Sequence, residues 1–154
     1  MNLRSDQLKS IFDHFELSKY YFTWQMECIG NGDKDTFIQE WISDNLYENS
    51  DYEKTLALML HTSGTWEETE ADVNDSYLVC DDREADELAN DYAEDYCEDY
   101  CLGEIPTHLH HYFDSVRWVD DYLAEGRGHI LNTYDGHEYH EVVNGTTYFI
   151  YGST

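Results

Sequence analysis

Basic residues are what this chain has least of for its size. Eight Lys and Arg stand against 34 Asp and Glu, a formal charge of −26 over 154 residues. Partners that are themselves polyanions, nucleic acid and anionic membrane surfaces, are repelled by such a balance, whereas basic proteins are attracted. Proline occurs once, so no proline-rich linker divides the chain. No apolar run approaches the ~20 residues that a membrane span needs, and no secretory leader is recognisable at the start. The four cysteines, Cys28, Cys80, Cys97 and Cys101, therefore read as reduced thiols of a soluble protein in the cytoplasm. Glycine loops of the P-loop or dinucleotide type are missing, as is the G-x-S-x-G of a serine hydrolase.

What is present is enough to fold. Hydrophobic residues make up 41% of the chain, with 14 Tyr, 6 Phe and 4 Trp, which argues against disorder and for one domain or two small modules sharing a core. Like-charge repulsion at −26 destabilises any compact state. A role beyond solubility is the expected reason for keeping it.

The charge is concentrated in Asp81–Asp99, which holds ten carboxylates (Asp81, Asp82, Glu84, Asp86, Glu87, Asp91, Glu94, Asp95, Glu98 and Asp99) and one base, Arg83. Between them, Ala85, Leu88, Ala89, Tyr92, Ala93, Tyr96, Cys97 and Tyr100 recur with the three-and-four spacing of a helical stripe. The segment is predicted to be a helix that docks by this stripe and shows solvent an almost purely anionic face. Nineteen helical residues rise roughly 28 Å, about one carboxylate per ~3 Å. One strand of duplex DNA carries a charge every ~3.4 Å. Ordinary solvated helices are laced with Lys or Arg at i+4. Here Asp91/Asp95, Glu94/Glu98 and Asp95/Asp99 repel instead, each pair costing a few tenths of a kcal/mol.

Around this segment the pattern predicts an α+β protein with a mainly helical N-terminal half. Residues 6–16, capped by Ser5, form a helix through Leu8, Ile11, Phe12 and Phe15, ahead of a stop at Gly30-Asn31-Gly32. Tyr20–Trp24 fits helix or strand. Asp35 is placed to cap a helix through Phe37, Ile38, Trp41, Ile42 and Leu46, and Ser50 or Asp51 another that ends near Ser63-Gly64. From Glu67 to Glu104 there are 16 acids against Arg83 alone, so a module boundary is expected near residue 65, dividing 1–65 from 66–154. Residues 76–80 suit a short strand entering the acidic helix. Pro106 begins a short helix to Tyr112, and Asp114 or Ser115 caps a second through Val116, Val119, Tyr122 and Leu123. Asp135-Gly136 and Asn144-Gly145 are both hairpin-turn pairs, giving a small antiparallel C-terminal sheet of two or three strands.

Other chemistries have weaker support. Cys97 and Cys101, followed by His108, His110 and His111, have the residue types of a zinc site, but both thiols lie in or beside the apolar stripe and read as buried. His129, His137 and His140 read as surface residues. Asp72–Asp75 and Asn31–Asp35 offer oxygen ligands without completing a calcium loop. A carboxylate-dependent hydrolase needs one acid in an apolar pocket and a partner held apart from it, and sequence singles out no such pair among 34. Neither a metal nor a cofactor is expected.

Residues 86–124 resemble the ArdA family of antirestriction proteins, found on phages and conjugative elements. The likeness is tightest over Leu102, Gly103, Glu104, Ile105 and Pro106, then Leu109, Tyr112, Phe113 and Asp114, and the helix through Asp121. Gly126-Arg127-Gly128-His129 with Tyr134-Asp135-Gly136 is similar to the ending of small phage relatives. Residues 1–65 do not look like the family's strand-rich N-terminal modules, and Asp120-Asp121 stands where the family often has Arg-Asp. The resemblance implies dimerisation through Leu102–Asp114 and a non-catalytic mimic of B-form DNA. Its target surface would comprise the ten acids of 81–99 with Glu104, Asp120 and Asp121. The expected partner is a basic DNA-binding complex of the host, first a type I restriction-modification enzyme and alternatively a CRISPR effector whose DNA or PAM groove is filled.

Overall fold

The computed structural model describes residues 2–27 and 32–153. Cys28 and the Gly30-Asn31 part of the expected helix stop lie outside the described residues. The fold is α+β, with α-helices, a π-helical turn, a 3-10 helix and a three-stranded antiparallel sheet among the described residues. Two compact units share the chain: Met1–Asp75 with His140–Tyr148, and Ser76–Tyr139 with Phe149–Thr154.

Unit 1 contains α1 (Ser5–His14), α2 (Ser18–Glu27), α3 (Lys34–Asn45), α4 (Ser50–Thr62) and α5 (Trp66–Asp72). Each start lies slightly upstream of its expected cap. Arg4 occupies the N-cap of α1, and its amide donates to the Gln7 side chain at 3.0 Å. Asp33, not Asp35, caps α3 by accepting from the Thr36 amide at 2.7 Å. Asn49, not Ser50 or Asp51, caps α4 by accepting from the Asp51 and Tyr52 amides. At α3 and α4 the side chain of the last extended residue serves the free amides, whereas at α1 the Arg4 guanidinium has no acceptor and the Gln7 side chain closes the turn instead. The expected helix over 6–16 ends early because Glu16 adopts φ 53°, after which the Tyr20–Trp24 run is helical in α2.

Aromatic rings fill unit 1. Phe15 lies against Trp41 (4.9 Å between centroids), Trp66 (5.2 Å) and Tyr52 (5.8 Å), and Phe37 against Tyr21 and Trp24. Leu8, Ile11, Leu17, Ile38, Ile42 and Leu56 are fully buried beside them. Trp66 and Thr69 of α5 are buried too, so the packing of unit 1 continues past the charge boundary at residue 65. Buried polar groups are matched: Gln7 donates to the Met59 and Gly64 carbonyls, and Glu53 accepts from the Tyr148 hydroxyl at 2.6 Å.

Unit 2 is built on β1 (Tyr77–Asp81) and α6 (Asp82–Tyr96), with the π turn Cys97–Leu102 continuing α6. The 3-10 helix Thr107–Tyr112, α7 (Ser115–Leu123) and α8 (Arg127–Leu131) follow. Strands β2 (Tyr139–Val143) and β3 (Thr146–Gly152), of which residues 140–148 belong to unit 1 and Tyr139 with residues 149–152 to unit 2, complete a sheet of order β1-β3-β2. Asn144 (φ 51°) and Gly145 (φ 78°) form the expected hairpin turn. Asp135-Gly136 does not form one. The Asn132 side chain accepts from the Tyr134 and Asp135 amides and donates to the His137 carbonyl, folding that stretch into a loop.

Candidate functional site

The capping of α6 starts the site. Asp81 accepts from the Glu84 amide at 2.8 Å, and the Glu84 carboxylate accepts from the Asp81 amide at 3.2 Å, a reciprocal box. Two of the ten expected target-facing acids thus start the helix. The docking face is Ala85, Ala89, Ala93 and Cys97, all buried, at a strict spacing of four. Ala85 and Ala89 pack with Cys80, Leu131 and Tyr151, while Ala93 and Cys97 pack with Val119. Small side chains let α7 and α8 approach closely, which leaves the larger residues of the expected stripe at its margin. Tyr92, Tyr96 and Tyr100 are exposed, and Tyr96 stacks on Tyr100 (4.6 Å), Tyr122 (5.7 Å) and Trp118 (5.8 Å, 5° between planes).

Glu87, Asp91, Glu94, Asp95, Glu98 and Asp99 are exposed on the opposite side of this element. The Glu94 carboxylate accepts from the Asn90 side-chain amide at 3.1 Å. Glu104, Asp120 and Asp121 are exposed as well.

Sequence reading named Arg127 within the resemblance but gave it no role. Its guanidinium donates to Asp82 (2.8 Å), Asp86 (2.9 Å) and Glu138 (2.9 Å) and lies 4.5 Å over the Phe149 ring. Burial opposes its charge, but the hydrogen bond it donates to Asp82, with Tyr151, Glu138 and Asp86, raises its pKa above the ordinary arginine range. Tyr151 donates a short hydrogen bond to Glu138, and burial first, then that bond, pushes the phenol up. Asp82 and Asp86 are therefore partly neutralised from within the fold, although both remain exposed. The glycines on either side of Arg127 carry no helical signal, which hid α8.

The segment carrying the family resemblance has a structural explanation of its own. The Gly103 amide closes the π turn on the Glu98 carbonyl at 3.0 Å, and a Cβ there would meet the Asp99 carbonyl oxygen at 2.5 Å. Pro106 precedes the 3-10 helix, and Asp114 caps α7 through the Arg117 amide. Phe113 packs on the Ala93–Cys97–Val119 cluster; Ile105 and Leu102 are half-buried, whereas Leu109 is exposed and Tyr112 is 77% exposed. Among the described residues Cys80, Cys97 and Cys101 form no disulfide, and Cys97 is buried with its thiol pushed up by burial and by the neighbouring Cys101. His110 meets the Ile105 carbonyl at 2.7 Å, and His129 lies 3.3 Å from Glu125. Among the described residues no group of three or more His, Cys, Asp or Glu is arranged to hold a metal ion. Asp72–Asp75 forms a turn closed from the Asp75 amide to the Asp72 carbonyl.

On one flank of the acidic face, the π turn and α7 enclose a cleft of about 840 Å³. Cys97, Val119 and Leu102 form its apolar interior, Val116 lies on its lip, and Glu94, Glu98 and Asp120 also line it. No described helix is long and apolar enough to cross a membrane. Comparison with protein-family models, with curated proteins and with solved structures gives no match for this chain.

Proposed function

We propose that the protein is a non-catalytic inhibitor that competes with DNA for the basic groove of a DNA-binding defence complex. One observation supports this above the rest: an exposed row from Glu87 to Asp99 has six carboxylates and no lysine or arginine among them. Such a row tolerates like-charge repulsion along its length, and it matches the charge spacing of a single DNA strand. The resemblance over 86–124 makes a type I restriction-modification enzyme the first target and a CRISPR effector the second. Self-association through Leu102–Asp114, with exposed Tyr112 in the contact, belongs to the same reading.

The experiment titrates the protein into a preformed complex of a type I restriction enzyme with labelled DNA, and separately into an effector–DNA complex. Stoichiometric, dose-proportional release of DNA from one of them is the expected outcome. Release at catalytic amounts, or chemical change in either component, replaces the inhibitor by an enzyme. Light scattering on the same samples reads the oligomeric state, and a strict monomer at micromolar concentration removes the dimer.

A further inference from the structure

The cleft beside the acidic row has a chemistry that a phosphate backbone lacks. Its interior is apolar at Cys97 and Val119, both buried, and at Leu102. Val116 on the lip is 73% exposed. Four carboxylates, Glu94, Glu98, Asp99 and Asp120, line it with His110, and no lysine or arginine does. The volume of about 840 Å³ lies within the ~300–1,000 Å³ range of ligand-binding clefts. Glu94, Glu98 and Asp99 belong both to this lining and to the exposed row, so the cleft is continuous with the surface proposed to meet the target.

Apolar interior and anionic edge together define the occupant. A bare cation would leave the interior unfilled, and a neutral apolar segment would desolvate four carboxylates without pairing them. The geometry points to a basic amphipathic helix of the partner, seating apolar side chains against Val116, Val119 and Leu102 while its flanking Arg or Lys meet Glu94, Glu98, Asp99 and Asp120. This is the helix-in-groove mode with charges at the edge. It rests on the inhibitor reading for the basic character of the partner, and adds to it an anchor that DNA cannot offer. An inhibitor with that anchor discriminates among proteins whose grooves all bind DNA.

The test uses the full chain and a fluorescent helical peptide of Leu and Arg in an i, i+3, i+4, i+7 pattern, beside a scrambled peptide of the same composition. The patterned peptide is expected to bind about tenfold tighter than the scrambled one, as one apolar anchor among several contacts warrants. Val116→Arg is solvent-exposed and helix-compatible, and should remove that advantage. Asp91→Asn, on the exposed row, should weaken both peptides alike and only slightly. Methyl resonances of Val116, Val119 and Leu102 should shift with the patterned peptide, which reads occupancy even if a variant folds poorly. Equal binding of the two peptides, or still methyls, overturns the inference. So does spermine moving the same methyls while the pattern confers nothing, which would make the cleft a polyamine site. Peptide binding does not depend on DNA release, so failure of the inhibitor reading and failure of this one are separable.

Discussion

Arg127 shows how a single cation organises an anionic unit. Asp82, Asp86, Glu138, Tyr151 and Phe149 all meet it or its partners, and its side chain is only 18% exposed. Nothing local marked it, because residues 82 and 127 come together only through the packing of α8 on α6. The same holds for Glu53 and Tyr148, which pair across 95 positions of sequence. A consequence at this scale concerns Tyr151. Burial and the Glu138 carboxylate raise its pKa above the ordinary ~10. A group raised in the folded state contributes stability that is fully present below its unfolded pKa and lost as pH rises through the folded one. Stability should therefore decline from about pH 10 upward. Tyr151→Phe should cost about 1 kcal/mol at neutral pH and flatten the alkaline decline. Tyr122 and Tyr139, also raised, keep part of that slope. Denaturation midpoints across the alkaline range check this, and an unchanged slope in the variant would show that Tyr151 is not its source.

Among the elements, α6 was the most legible, and the reason is periodic. Ala85, Ala89, Ala93 and Cys97 repeat at one turn, acids fill the other side, and β1 precedes them as expected. Less legible was which members of the stripe would be covered: Tyr92, Tyr96 and Tyr100 share its spacing, yet small neighbours drew the packing partners inward and left all three exposed, with Tyr96 and Tyr100 stacked at the edge. Helix α8 escaped because Gly126 and Gly128 bracket its first residue. Gly128 is there for a close approach, since a Cβ would come within 2.9 Å of the Glu138 amide nitrogen and the Gly136 carbonyl oxygen. Helix α5 escaped because Trp66 is its only large apolar residue. The acidic row yields the next expected outcome. Glu87, Asp91, Glu94, Asp95, Glu98 and Asp99 changed stepwise to Gln or Asn should leave the fold as stable or more so, as i,i+4 repulsion is relieved. Glu84 is left out of the set because it closes the capping box. Single changes should each weaken DNA displacement less than about fivefold, given ~0.2–1 kcal/mol per exposed pair, with the loss accumulating across the series. One substitution abolishing activity in a folded protein would instead identify a catalytic carboxylate and sink the mimic reading.

For the whole molecule, the charge of −26 acts on stability and on binding with opposite signs under salt. Within the chain, like charges dominate, so screening relieves the folded state. Between the chain and a basic groove, opposite charges dominate, so screening weakens the complex. Raising ionic strength from about 0.01 M to about 0.15 M shortens the Debye length from ~30 Å to ~8 Å. That distance still spans neighbours on the acidic row but no longer reaches across a unit. The thermal midpoint is expected to rise by a few degrees over this interval, while affinity for the target falls. The fall should be shallower than that of DNA for the same groove, because carboxylates on a folded surface release no condensed counterion layer like that of the duplex. Calorimetry on the free protein and equilibrium binding at matched salts give both curves. If affinity holds constant while the midpoint rises, the apolar cleft dominates recognition and the acidic row is not its main contact. If both fall together, salt is destabilising the fold itself, and the charge distribution is doing something other than repelling its own like charges.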